Sequence, residues 1–165
     1  VTAGARAEEV MDRLGREAVP AIYWRATNLG KWANAQGFAT ILEHKEEIKA
    51  MMNRCLALDE NYFFAAPHRY FGAFYARAPD FAGGDLEKSA YHFRISLERA
   101  PNYFATRVLR AEFLATKRQD RTLYQEDLNW VLSHDPAAEP EVEAENRLEQ
   151  QKARKLLNEI NERFE

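Results

Sequence analysis

The sequence lacks several features that mark common protein classes. It has one cysteine, Cys55, among 165 residues, so no intramolecular disulfide can form. No apolar run reaches the roughly 18 residues that a membrane-spanning helix needs. The formal net charge of −3 gives no electrostatic argument for binding nucleic acid, which usually requires a clustered basic face. The remaining composition is that of an ordinary globular protein, and no nucleic-acid partner is predicted.

Patterns typical of catalytic and metal sites are also missing. The histidines at positions 44, 68, 92 and 134 form no HExxH or similar close ligand pair. None of the three serines lies in a GxSxG turn, and Gly83-Gly84 lacks the GKS/T ending of a phosphate loop. Cys55 falls in an apolar helical pattern, which favours packing over a nucleophilic role. We therefore predict no enzymatic activity, no metal and no cofactor.

Helix-forming residues dominate what is present. Alanine, leucine, glutamate and arginine are abundant, whereas valine and isoleucine are scarce. We predict an all-α single domain over residues 1–165, with an N-terminal helix within 1–19, helix hairpins over 20–136 and a long packing helix within 137–165. Apolar spacing and helix breakers place the individual helices at Ala5–Glu17, Pro20–Gln36, Ile41–Leu58, a segment beginning near Pro67, residues 83–101, Tyr103–Lys117, Thr122–His134 and Glu141–Phe164.

A near-repeat organises the middle of the chain. The stretch "GGDLEKSAYHFRISLERAP" ends at Pro101, and a similar run ends 35 residues later at Pro136. Tetratricopeptide units are helix hairpins of about 34 residues, with small residues where the helices touch. In that alignment Phe93 is the large packing residue and Ser89 and Ser96 are the small ones. The next unit supplies Ala111, Leu114, Tyr124, Leu128 and Val131. The pattern predicts a tetratricopeptide-like helix-hairpin solenoid, a fold that offers a concave binding surface.

The helix from Pro20 carries two apolar or aromatic stripes. Ile22 and Ala26 belong to a core stripe, while Trp24, Asn28 and Trp32 recur at i, i+4 and i+8 on another side. Two explanations are open at this point. The second stripe is buried between neighbouring helices, or the two tryptophans wall a cavity in which Asn28 directs hydrogen bonds.

The segment "NYFFAAPHRYFGAFYARAP" is unusually aromatic. Tyr70 and Phe74 stand four residues apart, which lets their rings stack on one helix face. Gly72 allows another backbone or a ligand to approach closely. Arg69 either grips a carboxylate or is a structural arginine with an acidic partner, and the sequence leaves both open.

Four segments carry a resemblance to a known family. In chain order they are "YWRATNLGKW", "RCLALDENYFFAAPHRYFGAFYARAP", "GGDLEKSAYHFRISLERAP" and "ENRLEQQKARKLL". Together they resemble the T component associated with tripartite ATP-independent periplasmic (TRAP) transporters, the TatT type, over nearly the whole chain after about Ala18. Ala65-Ala66 departs from the glycine-rich entry expected before Pro67.

The resemblance implies a periplasmic, all-helical protein with degenerate tetratricopeptide repeats. It implies a partnership with the transporter's solute-binding protein. It also implies a lipid anchor, for which the attachment cysteine would lie in a segment absent from this chain. By position, Trp24, Asn28, Trp32, Arg69, Gly72 and Asn146 occupy family motif positions.

We therefore predict a non-catalytic periplasmic binding subunit with a small organic acid or apolar molecule as a second ligand. The predicted ligand-binding residues combine aromatic walls with polar groups: Trp24, Asn28, Trp32, Arg69, Tyr70, Phe74, Tyr103 and Asn146. The alternative is a generic adaptor that binds protein only and keeps these aromatic residues in its core. Homo-oligomerisation is left open.

Overall fold

The computed structural model describes residues 11–164, and within that range the chain is helical and contains no strand. The all-α, repeat-like fold is therefore confirmed. The α-helices are α1 (Val19–Gln36), α2 (Phe38–Leu58), α3 (Tyr62–Arg77), α4 (Leu86–Arg99), α5 (Ala105–Leu109), α6 (Thr116–Arg118), α7 (Arg121–Ser133), α8 (Glu143–Asn158) and α9 (Ile160–Arg163). A π-helical segment, Arg110–Ala115, joins α5 to α6. The predicted helix Ala5–Glu17 lies mostly outside the described residues.

The chain divides into two compact units, with the boundary between Pro67 and His68 inside α3. The single domain over residues 1–165 stays a prediction.

The first unit is built on a hairpin of α1 and α2. Gly37, whose φ of 114° suits glycine, is the only residue between the two helices. The helices run antiparallel, since Cys55 Sγ lies 3.9 Å from the carbonyl oxygen of Val19 near the open end of the hairpin. The buried residues on the two helices include Ile22, Ala26, Ala33, Ile48, Met52 and Cys55. Cys55 is fully buried, in agreement with its predicted packing role, and this burial raises the pKa of its thiol to about 11.

The first turn of α3 is left-handed. Phe63, Phe64 and Ala65 have φ values of 44°, 57° and 54°, and regular right-handed helix follows them. Left-handed backbone costs a non-glycine residue roughly 1–2 kcal/mol. Ala65 is one of the two alanines that stand where the family resemblance leads us to expect glycine. The positive φ gives the physical reason for that expectation.

The second unit begins with a close contact between α3 and α4. Ser89 Oγ donates a 2.7 Å hydrogen bond to the carbonyl oxygen of Gly72. A Cβ added to Gly72 would lie 2.8 Å from ring atoms of Phe93, so this glycine admits the Phe93 ring. Ser89, Phe93 and Ser96 are all fully buried, which confirms their predicted packing roles.

The rest of the second unit continues as antiparallel neighbours. Ser96 and Thr106 hydroxyls meet at 3.3 Å between α4 and α5, and Tyr124 donates a 2.7 Å hydrogen bond from α7 to the Leu156 carbonyl of α8. The residues predicted for the next repeat are all buried: Ala111, Leu114, Tyr124, Leu128 and Val131. The predicted last helix is two helices, α8 and α9, which meet at Glu159. The tetratricopeptide character of these hairpins stays a prediction.

Gln119, which ends α6, offers a clean test of this backbone. It is exposed and holds φ 55° and ψ 32°, a left-handed conformation that favours glycine. We expect Gln119→Gly to be more stable than Gln119→Ala by about 1 kcal/mol. Both variants lose the same amide hydrogen bonds to Thr116 and Arg163, so the difference isolates the backbone. Urea unfolding of the two proteins measures it, and equal midpoints would contradict the left-handed cap.

Candidate functional site

The predicted site residues fall into two groups. Trp24, Asn28 and Trp32 belong to the first unit, while Arg69, Tyr70, Phe74, Tyr103 and Asn146 belong to the second.

Trp24, Asn28 and Trp32 lie on the exposed side of α1, and we call them the aromatic–amide face. The two tryptophans are 44% and 50% exposed, while Ile22 and Ala26 on the same helix are buried. Burial between neighbouring helices, one of the two explanations above, therefore does not describe these side chains. Large exposed aromatic residues are a common feature of protein-binding surfaces.

Neighbouring side chains hold the two tryptophans of this face in place. The Trp24 ring packs edge-on against Tyr23 and Phe63, with centroids 5.1 and 5.4 Å apart. The Trp32 ring meets His44 edge-on at 5.5 Å. The face is thus rigid where it is aromatic, which lowers the entropic cost of binding.

A charged cluster lies on the same hairpin. Glu47 accepts a 2.8 Å hydrogen bond from Arg25 and lies 3.5 Å from His44, the neighbour of Trp32. The hydrogen bond from Arg25 is the main reason that the pKa of Glu47 is lowered. Glu47 therefore keeps its negative charge near the aromatic–amide face.

In the second unit the structure brings some predicted residues together. The Arg69 guanidinium, in a side chain only 6% exposed, lies 4.1 Å from the centre of the Tyr103 ring. Tyr70 and Phe74 stack with centroids 6.1 Å apart, as their spacing predicts. The structure therefore shows two pairs that involve α3, one cation–aromatic and one aromatic.

Asn146 is placed differently. Its side chain is 1% exposed, and its oxygen accepts a 3.0 Å hydrogen bond from the backbone N–H of Phe104. Its nitrogen donates to the carbonyl oxygens of Asn102 and Pro136 at 2.9 and 3.2 Å. Both amide hydrogens are thereby engaged with main-chain acceptors, which gives Asn146 a structural role in joining α8 to two loops. A ligand contact by Asn146 stays a prediction.

The pairing of His68 with His92 was missed by the sequence analysis, which treated the histidines as scattered. Their Nδ1 atoms lie 3.0 Å apart, and Phe71 and Tyr75 pack against the His92 ring. Burial, and next to it the positive charge of His68, lowers the pKa of His92 to about 4. The pair could have been found only from the antiparallel register of α3 and α4, which brings together two residues 24 positions apart in the sequence.

This pair predicts that stability falls in mild acid. The unfolded chain takes up a proton on His92 near pH 6.5, whereas the folded chain does so near pH 4. The free energy of unfolding should therefore decrease as the pH falls from 6.5 to 4, by an amount on the order of 2 kcal/mol for this residue. Urea unfolding at several pH values measures the slope. His92→Gln should flatten it while the exposed-site control His134→Gln leaves it unchanged, and an unaltered slope in His92→Gln would contradict the assignment.

The sequence analysis also missed a charged cluster that joins α5 and the π-helical segment to α7. Asp127, which is fully buried, accepts hydrogen bonds from Arg107 at 2.9 Å and from Nε and Nη2 of Arg110 at 2.6 Å. The Arg107 guanidinium also lies 4.0 Å from the centre of the Trp130 ring, and His134 stacks on that ring at 3.7 Å. The sequence did contain one sign of this cluster, because an aspartate lies within the apolar pattern of Tyr124, Leu128 and Val131.

Open cavities among the residues described include the following two. One, of about 380 Å³ in the second unit, is lined by Ala76, Arg77, Glu112, Phe113, Thr116, Lys117 and Gln119. The other, of about 290 Å³ in the first unit, is lined by Arg16, Leu56, Ala57, Leu58, Asp59, Glu60 and Asn61. Neither includes a predicted site residue.

Residues 11–164 contain no group of three or more histidine, cysteine, aspartate or glutamate side chains placed to hold a metal ion. Among the helices of that range, none combines the length and the apolar character needed to cross a membrane.

Comparison with models of known families gives a match. The family model described as "TRAP transporter T-component" matches residues 2–164, nearly the whole chain. No curated protein matches the sequence.

Proposed function

The chain belongs to the TRAP transporter T-component family, and from that premise we propose that it is a non-catalytic periplasmic subunit that binds the solute-binding protein of its uptake system. Membership makes it a component of a TRAP transport system. The binding partner, the compartment, the lack of catalysis and any lipid anchor are parts of the proposal.

The observation that supports it is the aromatic–amide face. Trp24 and Trp32 are about half exposed on a helix whose opposite side is already packed. Tryptophan is enriched among the residues that dominate binding energy at protein interfaces. The exposed amide of Asn28 lies between the two tryptophans on the helix and supplies a donor and an acceptor.

We expect Trp24→Ala and Trp32→Ala each to weaken binding of the solute-binding protein at least tenfold, since truncating an interface tryptophan typically costs about 2 kcal/mol. Calorimetric titration of this protein with the solute-binding protein of its own system, with and without transport substrate, measures the effect. Phe38→Ala is the matched control, because Phe38 is 54% exposed on the same hairpin but lies outside the face. Absence of binding by the unaltered protein, or equal losses in all three variants, would contradict the proposal.

The proposal includes a small organic acid or apolar molecule as a second ligand, held in the second unit. Arg69 with Tyr103, and Tyr70 with Phe74, supply a guanidinium and aromatic surface suited to a carboxylate with an apolar body. Calorimetry with a panel of organic acids is the test. Loss of the heat signal in Arg69→Gln would support the site.

A second candidate function is an adaptor without a small-molecule site. The engagement of both Asn146 amide hydrogens by main-chain acceptors favours it, because it removes one polar group from ligand recognition. A flat response to the whole panel of acids, together with intact binding of the solute-binding protein, would select the adaptor.

A further inference from the structure

We propose that Arg107, Arg110, Trp130 and His134, which we call the Arg–Trp surface, bind carboxylate groups on an acidic segment of a partner protein. This surface lies in the second unit and shares no residue with the aromatic–amide face. It therefore adds an interaction site to the proposed function and does not depend on it.

The first argument is that the cluster contains more positive than negative charge. Two guanidinium groups share a single carboxylate, that of Asp127, so the cluster carries one uncompensated positive charge. The Asp127 side chain is 1% exposed, whereas those of Arg107 and Arg110 are 20% and 21% exposed. The negative charge is thus buried, whereas the two arginine side chains that carry the surplus positive charge are partly exposed, so a second carboxylate can reach them.

The second argument is that some guanidinium N–H groups of Arg107 and Arg110 are not used by Asp127. Asp127 engages one Arg107 nitrogen, Nη1, and two Arg110 nitrogens, Nε and Nη2. Arg107 Nη2 and Arg110 Nη1 donate no hydrogen bond to any residue in the described range. Guanidinium N–H groups recognise carboxylates in paired geometry, which makes carboxylate the matching ligand chemistry.

Rigidity is the third argument. Asp127 fixes both guanidiniums, and the Trp130 ring is in contact with Arg107 and His134 and meets Phe104 edge-on at 5.5 Å. His134 Nδ1 donates a 2.7 Å hydrogen bond to the Trp130 carbonyl oxygen, which fixes the imidazole as well. Side chains already held in place lose little conformational entropy when a partner binds.

The form of the site indicates a protein partner rather than a free solute. Small molecules usually bind in concave cavities, and neither cavity described above includes these residues. Arginine and tryptophan are among the residues most enriched at protein-binding hot spots. A carboxylate carried on a partner segment also gains contact with the Trp130 and His134 rings, which a small acid would contact less.

The test is a fluorescence titration with a blocked hexaglutamate peptide at low salt. The protein carries Trp24→Phe and Trp32→Phe, so that Trp130 is its single tryptophan. We expect a saturable change in Trp130 emission that weakens as salt is raised. Arg107→Gln should weaken binding at least tenfold while leaving Asp127 paired with Arg110. Arg94→Gln is the matched control, because Arg94 also lies over an aromatic ring, Tyr91, and pairs with an acid, Glu98.

A second variant tests the same surface at a position where misfolding is not expected. His134 is exposed, so His134→Glu should leave the fold intact and place a competing carboxylate beside Trp130, abolishing peptide binding. A titration with succinate at equal carboxylate concentration distinguishes an acidic segment of a partner protein from a free small acid as the ligand. Binding of hexaglutamate at least tenfold tighter than succinate supports a partner segment, whereas equal or tighter binding of succinate overturns it. No binding, equal binding of hexalysine, or unchanged affinity in Arg107→Gln also overturns the proposal. None of these results depends on the solute-binding protein.

Discussion

Asn146→Ala is expected to lower the free energy of unfolding by about 4 kcal/mol. The substitution removes one buried and two partly buried hydrogen bonds, and it leaves the Phe104 N–H and the carbonyls of Asn102 and Pro136 without this partner. Each buried polar group left unsatisfied costs about 1–3 kcal/mol. Urea unfolding followed by circular dichroism measures the change.

Asn28→Ala is the control for that experiment. Asn28 is an exposed amide on α1, and its removal should alter stability by less than about 0.5 kcal/mol. The same pair of variants divides the predicted site residues by role, because Asn28 belongs to the proposed interface and Asn146 to the scaffold. A loss below 1 kcal/mol in Asn146→Ala would contradict the structural role.

Asp127→Ala is expected to destabilise the protein by about 3 kcal/mol. Removing the buried carboxylate leaves two partly buried guanidiniums close together with no negative charge between them. Breaking a buried ion pair from one side typically costs about 3–5 kcal/mol, and the partial exposure of both arginines places this case at the lower end.

Glu98→Ala is the control variant for Asp127→Ala. Glu98 pairs with Arg94 at 2.8 Å, but both side chains are more than half exposed, and such pairs contribute about 0–1 kcal/mol. The two variants remove the same kind of salt bridge in different surroundings. Equal effects in a urea unfolding series would show that Asp127 is not part of a buried cluster.

Local patterns predicted the helices and the packing of the repeat well. Pro20 and Gly37 bracket α1 because proline is tolerated in the first helical turn and glycine accepts the positive φ that follows the last one. Phe93, Ser89 and Ser96 are buried because each lies on the apolar side of a strongly periodic helix. These features depend on residues within a few turns of one another.

The features that the sequence analysis missed depend on distant partners. Arg107 meets Asp127 across 20 residues, and Asn146 reaches the Phe104 N–H across 42. Such contacts require the register between helices, which no local period supplies. The left-handed turn at Phe63–Ala65 was missed for a different reason, because alanine and phenylalanine give no local sign of positive φ.

The same limit applies to the ligand-binding prediction. The stripe of Trp24, Asn28 and Trp32 was visible in the sequence, but its exposure was not, since a periodic stripe is equally compatible with a second buried face. For Arg69 and Tyr103, the contact across 34 positions decides the geometry, and nothing near either residue indicated it.

The π-helical segment Arg110–Ala115 has a consequence for comparing relatives. A π-helical turn holds one more residue than an α-helical turn, as the backbone hydrogen bond from the Thr116 N–H to the Ala111 carbonyl, five residues earlier, illustrates. A relative with an uninterrupted α-helix here would be one residue shorter, and its alignment gap belongs between positions 110 and 115 rather than in the turn at Gln119. The counterparts of Arg107 and Asp127 would then stand one residue closer in sequence than the 20 that separate them here. An aligner that moves the gap into the turn would assign the wrong residues to the end of this helix in such relatives.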